Sequence, residues 1–256
     1  NFVNIKDHNL FYTKKMNIIV GGPGDGKSVL LQKLAWELGE DEEKLTILLP
    51  ARALSKEENV TNLRFNIDSE NLHEIFLETL EREVNVTYPN LNWNNNVLEW
   101  QKSCDKTYIF IDAFDEIRDL QTRRDLFEII SKVNDKLKNT HITISFREAI
   151  TELIIDISNT EPLETTQKFQ IYKIIWEDAQ LKHNFIPSLL HAWNMKLDLV
   201  AESELSYFLN LSYEGSNLNN SQIGHSINGF LKNPLRVVWL VRLIYDANKD
   251  LTKMNI

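Results

Sequence analysis

The chain has 256 residues, of which 43% are hydrophobic and 25% charged, with a formal net charge of −9 at pH 7. This size and composition are typical of a soluble globular protein with one large domain or a domain and a smaller companion, and the acidity argues against a broad nucleic-acid or anionic-membrane surface. The single cysteine, Cys104, excludes an internal disulfide, and the sequence shows neither a membrane-length apolar run nor a signal peptide, so we expect a cytoplasmic protein without a membrane partner.

The first predicted element is an apolar strand over residues 16–20 that runs directly into a glycine-rich loop. Residues 21–28 have the pattern G-x-x-x-x-G-K-S, and a helical pattern of apolar residues follows at once. A loop of this kind directs backbone N–H groups at a phosphate, and the N-terminus of the next helix adds partial positive charge. The sequence therefore predicts a nucleotide site. Its binding residues are Gly21, Gly22, Pro23, Gly24, Asp25, Gly26, Lys27, Ser28 and Val29.

Two of these side chains have specific predicted roles. Lys27 is placed to reach the β- and γ-phosphates, and the Ser28 hydroxyl is placed to hold Mg²⁺. No motif that reads guanine is present, so ATP and ADP are the expected nucleotides.

The next predicted strand covers residues 45–49 and is closed by Pro50. Arg52 follows its carboxyl end, where open α/β sheets place ligands, although an ion pair with a nearby carboxylate is an equally open alternative. Residues 69–84 have apolar positions at helical spacing. Residues 85–106 are rich in asparagine, and we expect an irregular surface excursion there.

A second strong pattern is the apolar strand over residues 107–112, which ends in Asp112. A carboxylate at this position, downstream of a phosphate loop, is suited to hold Mg²⁺ through its water shell. Asp115 and Glu116 follow directly, and either of them could orient or deprotonate the water that attacks a γ-phosphate.

A helix is predicted over residues 118–139, followed by a strand over residues 141–145 with Arg147 just beyond it. An arginine at this position can contact a γ-phosphate, and we favour this role over that of an ordinary surface residue. A fifth strand is predicted over residues 169–175, and the pattern after it is helical. Because helices separate the strands, we expect right-handed crossovers and a parallel sheet.

Several segments together resemble a NACHT domain of the STAND class of P-loop NTPases. Residues 21–28 resemble the Walker A loop of that family, and residues 111–117 resemble its extended Walker B, with a small residue after the magnesium aspartate and an acidic pair after an apolar residue. Residues 50–54 are similar to an arginine-containing segment after the second strand. Residues 144–147 resemble the sensor strand, although a small polar residue is usual where Phe146 stands. Residues 230–235 resemble the segment whose proline, here Pro234, packs on the adenine.

The resemblance implies an α/β fold: a parallel five-stranded P-loop NTPase sheet with helices on both faces, followed by a small all-helical domain. The implied boundaries are residues 1–176 for the nucleotide-binding domain and 177–256 for the first helical domain. The chain begins with Asn1 rather than Met, and we expect a piece of a longer polypeptide. The resemblance then places effector domains before it and a winged-helix part and sensor repeats after it.

The leading hypothesis is an ATP/ADP-dependent switch of a signalling, innate-immune or antiviral defence protein. Hydrolysis would be slow and Mg²⁺-dependent, activation would produce a homo-oligomer, and this segment would not bind nucleic acid directly. The alternative is an AAA+-like ATPase motor or remodeller, which fast, polymer-stimulated turnover would favour.

Overall fold

The computed structural model describes residues 16–89, 97–147, 169–174, 186–192 and 234–254. Every strand pairing in this part of the chain is parallel, and the strands are ordered β2-β3-β4-β1-β5 across one sheet. The strands are β1 (Met16–Gly21), β2 (Lys44–Pro50), β3 (Lys106–Asp112), β4 (Thr140–Arg147) and β5 (Phe169–Lys173).

Within the described part of the chain, helices separate β1 from β2, β2 from β3 and β3 from β4, in the order that the sequence predicts. They are α1 (Lys27–Gly39), α2 (Ala51–Leu54), α3 (Glu57–Phe65), α4 (Leu72–Thr87), α5 (Val97–Ser103), α6 (Leu120–Lys136), α7 (Ile186–Ala192) and α8 (Pro234–Met254). Among the described helices, none has the length and apolar character needed to cross a bilayer. The predicted α/β architecture, a five-stranded parallel sheet with helices, is confirmed.

The chain divides into two compact units. One comprises Asn1–Gly21 and Lys27–Ile174, and the other comprises Gly22–Gly26 and Ile175–Ile256. In the second unit α7 and α8 contact each other. The division into domains at residues 176 and 177 stays a prediction, and the helical patterns expected over residues 203–211 and 223–231 lie outside the described residues, as do residues 1–15.

The position of each strand in the sheet explains its pattern of side chains. β1 has neighbours on both sides, and all six of its residues are buried, which fits its nearly continuous apolar sequence. β2 lies at an edge and alternates between buried and partly exposed residues. The register pairs Gly21 with Arg147 and Pro50 with Asp112, so the carboxyl ends of four adjacent strands lie at the same edge of the sheet.

Aromatic side chains pack beneath this edge. Phe146 is fully buried, with ring centroids 5.0 Å from Phe114 and 6.1 Å from Phe127. Because successive strand residues point to opposite faces, Phe146 faces the core while its neighbours Ser145 and Arg147 face the other side. The phenylalanine that departs from the family pattern is therefore a core residue.

The expectation of an irregular segment over residues 85–106 is wrong at both ends. Helix α4 continues to Thr87, and residues 97–103 form α5. The carboxylate of Glu81 accepts a hydrogen bond from the Val97 amide at 2.8 Å, which satisfies one of the free N–H groups at the start of α5. This stabilising contact comes from another helix, and the local sequence does not reveal it.

Candidate nucleotide-binding site

The phosphate loop, residues 22–26, is held in shape by its own backbone and one side chain. Gly24 and Gly26 have φ values of 82° and 87°, in the left-handed region that favours glycine. The Asp25 carboxylate accepts a hydrogen bond from the Gly22 amide, and a Cβ on Gly22 would lie 3.2 Å from Asp25 Oδ2. Two of the three glycines in the loop are thus required by a left-handed backbone conformation, and Gly22 by the close approach of the Asp25 carboxylate. Pro23, between Gly22 and Gly24, is exposed.

The next three residues begin α1. Lys27 Nζ donates a hydrogen bond to the Gly21 carbonyl at 3.0 Å, so the lysine side chain folds back over the end of β1. Ser28 and Val29 are exposed on the first turn of the helix. The lysine ammonium and the serine hydroxyl therefore lie at the carboxyl edge of β1, where the sequence predicted a phosphate.

At the end of β3, the predicted magnesium ligand Asp112 is bound by a serine from the neighbouring strand. Ser145 Oγ donates a hydrogen bond to Asp112 Oδ1 at 2.6 Å and accepts one from the Ala113 amide at 2.8 Å. Asp112 is partly exposed, and no described residue donates a hydrogen bond to its Oδ2. One carboxylate oxygen is thus fixed by the protein, and the other remains available to a ligand.

The chain turns sharply after Asp112. Ala113 has φ 55° and ψ 47°, a left-handed conformation that is uncommon for a residue with a Cβ. The 3₁₀ turn Phe114–Glu116 follows, with the Phe114 side chain buried in the aromatic cluster. The buried phenylalanine anchors the turn, and the two acidic residues after it lie at the edge of the sheet.

The two acidic residues differ in environment. Asp115 has a side chain that is 6% exposed and forms an ion pair with Arg147, with Nε and Oδ2 2.7 Å apart. The main-chain amide of Arg147 also donates to Asp115 Oδ1 at 3.1 Å. Glu116 is exposed. The arginine that the sequence predicted to contact a γ-phosphate is therefore also the partner of a predicted catalytic acid, a pairing that the sequence did not predict.

A second arginine binds the backbone of the same turn. Arg123, in the first turns of α6, donates from Nε to the Ile117 carbonyl at 3.1 Å and from Nη2 to the Asp115 carbonyl at 3.3 Å. At the start of α6, Asp119 Oδ2 accepts a hydrogen bond from the Thr122 amide at 2.6 Å, and this bond lowers the pKa of Asp119. The acidic turn is therefore held by Ser145 at its beginning and by Arg123 at its end.

Sequence reasoning missed both of these residues. Ser145 belongs to the segment that resembles the sensor strand, and its spacing of two from Arg147 on a strand, which places both side chains on one face, is the signal that points to it. Arg123 left no comparable signal, since many exposed helical arginines share its sequence context. The predicted adenine contact, Pro234, is the first residue of α8, and its side chain lies outside the described part of the structure. Arg52 is exposed in α2, and no described carboxylate pairs with it.

The donor set fits a nucleotide-bound Mg²⁺ better than a metal held by protein alone. No group of three or more His, Cys, Asp or Glu side chains is assembled among the described residues. Mg²⁺ in nucleotide sites is bound by one or two protein oxygens, with waters and phosphate oxygens as the other ligands. The available oxygen of Asp112 and the exposed hydroxyl of Ser28 are protein donors of this kind, and the two left-handed glycines form a loop that a Cβ would strain.

A glycine loop between an interior parallel strand and a helix, with an acidic strand end two strands away, defines the P-loop NTPase class. A model of the NACHT domain matches residues 15–174. The chain therefore belongs to the NACHT family, P-loop NTPase domains of the STAND class, as the sequence resemblance predicted. Nucleotide-dependent NTPase activity follows from this membership.

No curated protein sequence matches that of this chain. Among solved structures, it is similar to a Walker-type ATPase of Pyrococcus abyssi at 14% identity and a TM-score of 0.47, over 98% of this chain and 74% of that one. It is similar to AMPPCP-bound DnaA from Aquifex aeolicus at 14% identity and a TM-score of 0.46, over 95% of this chain and 62% of that one. Drosophila ORC bound to DNA matches at 13% identity and a TM-score of 0.44, over 93% of this chain and 62% of that one.

Proposed function

We propose that this domain is an ATP/ADP-operated switch of a signalling or defence protein, such as an innate-immune or antiviral one. ADP holds the closed state, and its exchange for ATP permits homo-oligomerisation, with slow hydrolysis returning the domain to rest. Sensor and effector domains of the same polypeptide supply the trigger and the output. The family supports the nucleotide chemistry, and the arrangement around Arg147 supports the switch.

The observation that carries the switch is the ion pair between Arg147 and Asp115. A nucleotide can shift a conformational equilibrium only through contacts that differ between the states. The guanidinium of Arg147 is half exposed and lies at the same sheet edge as Lys27, so a γ-phosphate and the Asp115 carboxylate compete for it. ATP and ADP then leave Asp115 in different environments, and this difference is the signal.

Each of the remaining groups has a role in this scheme. Backbone amides of the glycine loop and of the first turn of α1 hold the phosphates, and Lys27 exchanges the Gly21 carbonyl for β- and γ-phosphate oxygens. Bound Mg²⁺ would be held by Ser28 and, through water, by Asp112, and it would neutralise charge on the β- and γ-phosphates. Asp115 and Glu116 orient the attacking water or accept its proton, and Pro234 packs on the adenine.

The first test replaces the phosphate-binding lysine. Lys27→Ala should lower the affinity for ADP and ATP by about 100-fold or more, since each charged hydrogen bond to phosphate contributes about 1.5–3 kcal/mol. The measurement is equilibrium binding of a fluorescent adenine nucleotide. Lys33→Ala is the matched control, because Lys33 lies on the same helix with its side chain 60% exposed and pairs only weakly with Glu37, 3.6 Å away. Unchanged binding in the Lys27 variant would remove the loop from the proposed site.

The second test separates a switch from a motor. The nucleotide that co-purifies with the protein is identified by mass after denaturation, and steady-state turnover and particle mass are measured with ADP and with a non-hydrolysable ATP analogue. A switch retains ADP in near-stoichiometric amounts, turns over slowly and increases in mass with the analogue. Fast, polymer-stimulated hydrolysis without retained ADP would instead identify a motor and contradict the proposal.

A further inference from the structure

We propose that Ser145 is a positioning residue that fixes the orientation of Asp112 toward a nucleotide-bound Mg²⁺. This inference rests on the proposed nucleotide site and concerns how its metal ligand is prepared. Ser145 lies on β4, and among the described residues its hydroxyl bonds neither the phosphate loop nor a predicted catalytic acid.

The hydroxyl of Ser145 accepts one hydrogen bond and donates its only hydrogen in another. The Ala113 amide donates to Oγ, so the hydroxyl hydrogen must be directed at the remaining partner, Asp112 Oδ1. Ser145 is 0% exposed, and the register places it beside Asp112, because the preceding residues Ile111 and Ile144 are paired across β3 and β4. A buried hydroxyl on a sheet strand therefore sets the rotation of a partly exposed carboxylate.

This restraint matters because Mg²⁺ is demanding about geometry. It requires a near-ideal octahedron at short distances and loses its waters reluctantly, so a ligand that rotates freely must pay to be ordered when the ion binds. Packing alone does not fix the Asp112 side chain, since it is partly exposed. The bond from Ser145 holds Oδ1 and leaves Oδ2 directed away from the serine, so the carboxylate is ordered before the ion arrives.

A purely structural role would be different in its consequences. If Ser145 served only to satisfy the Ala113 amide, its loss would disturb the turn whether or not Mg²⁺ is present. Measuring how nucleotide binding depends on Mg²⁺ therefore distinguishes the positioning role from the structural one. This measurement does not require catalysis.

The experiment compares Ser145→Ala with the wild-type protein and with Thr143→Val. Thr143 is 4% exposed and lies two residues earlier on the same face of β4, so its replacement removes a buried hydroxyl that does not bind Asp112. Binding of a fluorescent ADP analogue is measured in EDTA and across an Mg²⁺ titration. We expect Ser145→Ala to raise the Mg²⁺ concentration at half-maximal effect by about 10–100-fold and to leave binding in EDTA unchanged. Thr143→Val and Ser145→Thr should follow the wild type.

Each other outcome overturns the inference. An unchanged Mg²⁺ midpoint in Ser145→Ala, or an equal loss of affinity in EDTA and in Mg²⁺, would leave Ser145 with a structural role while the proposed nucleotide site stands. A wild-type protein that binds nucleotide with no Mg²⁺ effect would remove both the metal role of Asp112 and this inference. If Ser145→Ala does not fold, Ser145→Cys keeps the size and supplies a weaker donor. It must then show a smaller shift in the same direction, and no shift would contradict the inference.

Discussion

Two nearly buried carboxylates in the first unit have similar partners and very different settings. Glu83, 1% exposed, lies 2.6 Å from Lys56 Nζ, and Asp115, 6% exposed, lies 2.7 Å from Arg147 Nε. Glu83 lies in the C-terminal half of α4, where Asn59 of α3 donates a further hydrogen bond to it at 2.9 Å, so these contacts hold the two helices together. Asp115 stands in a turn at the carboxyl ends of the strands.

The comparison teaches that a buried ion pair does not mark a functional site by itself. Taking charges out of water is costly in both places and is offset by similar donors. The two ion pairs differ in whether a ligand can reach them. Parallel α/β sheets bind ligands at the carboxyl ends of their strands, and Asp115 lies there while Glu83 does not. The predictions below test whether Asp115 acts in nucleotide chemistry and Glu83 only in stability, from the largest expected effect to the smallest.

The largest effect is expected from removing the acidic pair of the turn. The double change Asp115→Ala with Glu116→Ala should retain nucleotide binding and lower single-turnover hydrolysis by about 10²–10⁴-fold, because the attacking water loses its proton acceptor. Glu83→Gln is the control, with turnover per folded molecule expected to match the wild type. Normal hydrolysis in the double variant would exclude both acids from the mechanism.

Removing Glu83 should affect stability instead. Glu83→Ala leaves Lys56 and Asn59 without their shared partner. Lys56 is 40% exposed and can be solvated, whereas the buried Asn59 loses an acceptor, and such a loss costs about 1–3 kcal/mol. The free energy of unfolding is measured by urea denaturation, with nucleotide affinity measured in parallel and expected to be unchanged. Glu78→Ala, at an exposed position of the same helix, should change the free energy by no more than about 0.5 kcal/mol. A loss of nucleotide affinity in folded Glu83→Ala would contradict the claim that Glu83 contributes only to stability.

A smaller effect is expected at Arg123, which binds the turn without touching the acidic side chains. Arg123→Gln removes donors to the Asp115 and Ile117 carbonyls and should lower turnover by about 10–100-fold, because small displacements of a catalytic group are costly. Nucleotide affinity should stay as in the wild type. Arg124→Gln makes the same charge change at the next, exposed position. Equal turnover in the two variants would show that the contact of Arg123 with the turn has no catalytic consequence.

The strands and the site loop were predictable because their signals are local. Each strand is an apolar run of fitting length, and the glycine pattern specifies its own backbone conformation. The small helices α2 and α3 were not predicted. Helix α2 has only four residues, and α3 is fixed by contacts with α4, among them the bond from Asn59 to Glu83. Helix α5 was missed for the same reason.

The hydrogen bonds and ion pairs between side chains of the site could not be predicted from the sequence. Asp112, Asp115 and Arg147 could be placed at one edge of the sheet from the order of the strands. The sequence does not show that Arg147 binds Asp115 while Ser145 binds Asp112. These pairings depend on the register of β3 against β4 and on the left-handed turn at Ala113. A shift of one residue in the register would move every side chain of the strand to the opposite face of the sheet. A single sequence does not fix the register to within one residue.

The interior position of β1 in the sheet has a consequence for how the protein folds during synthesis. Its register partners lie well over a hundred residues later in the chain, since Met16 pairs with Ile142 on one side and with Phe169 on the other. At ribosomal rates of about 5–20 residues per second, β1 is made on the order of 10 s before its neighbours, and until then the backbone N–H and C=O groups along both of its edges have no strand partner. β2 and β3 can associate earlier, so the nascent chain carries an unpaired strand at the moment when it is most exposed to other polypeptides.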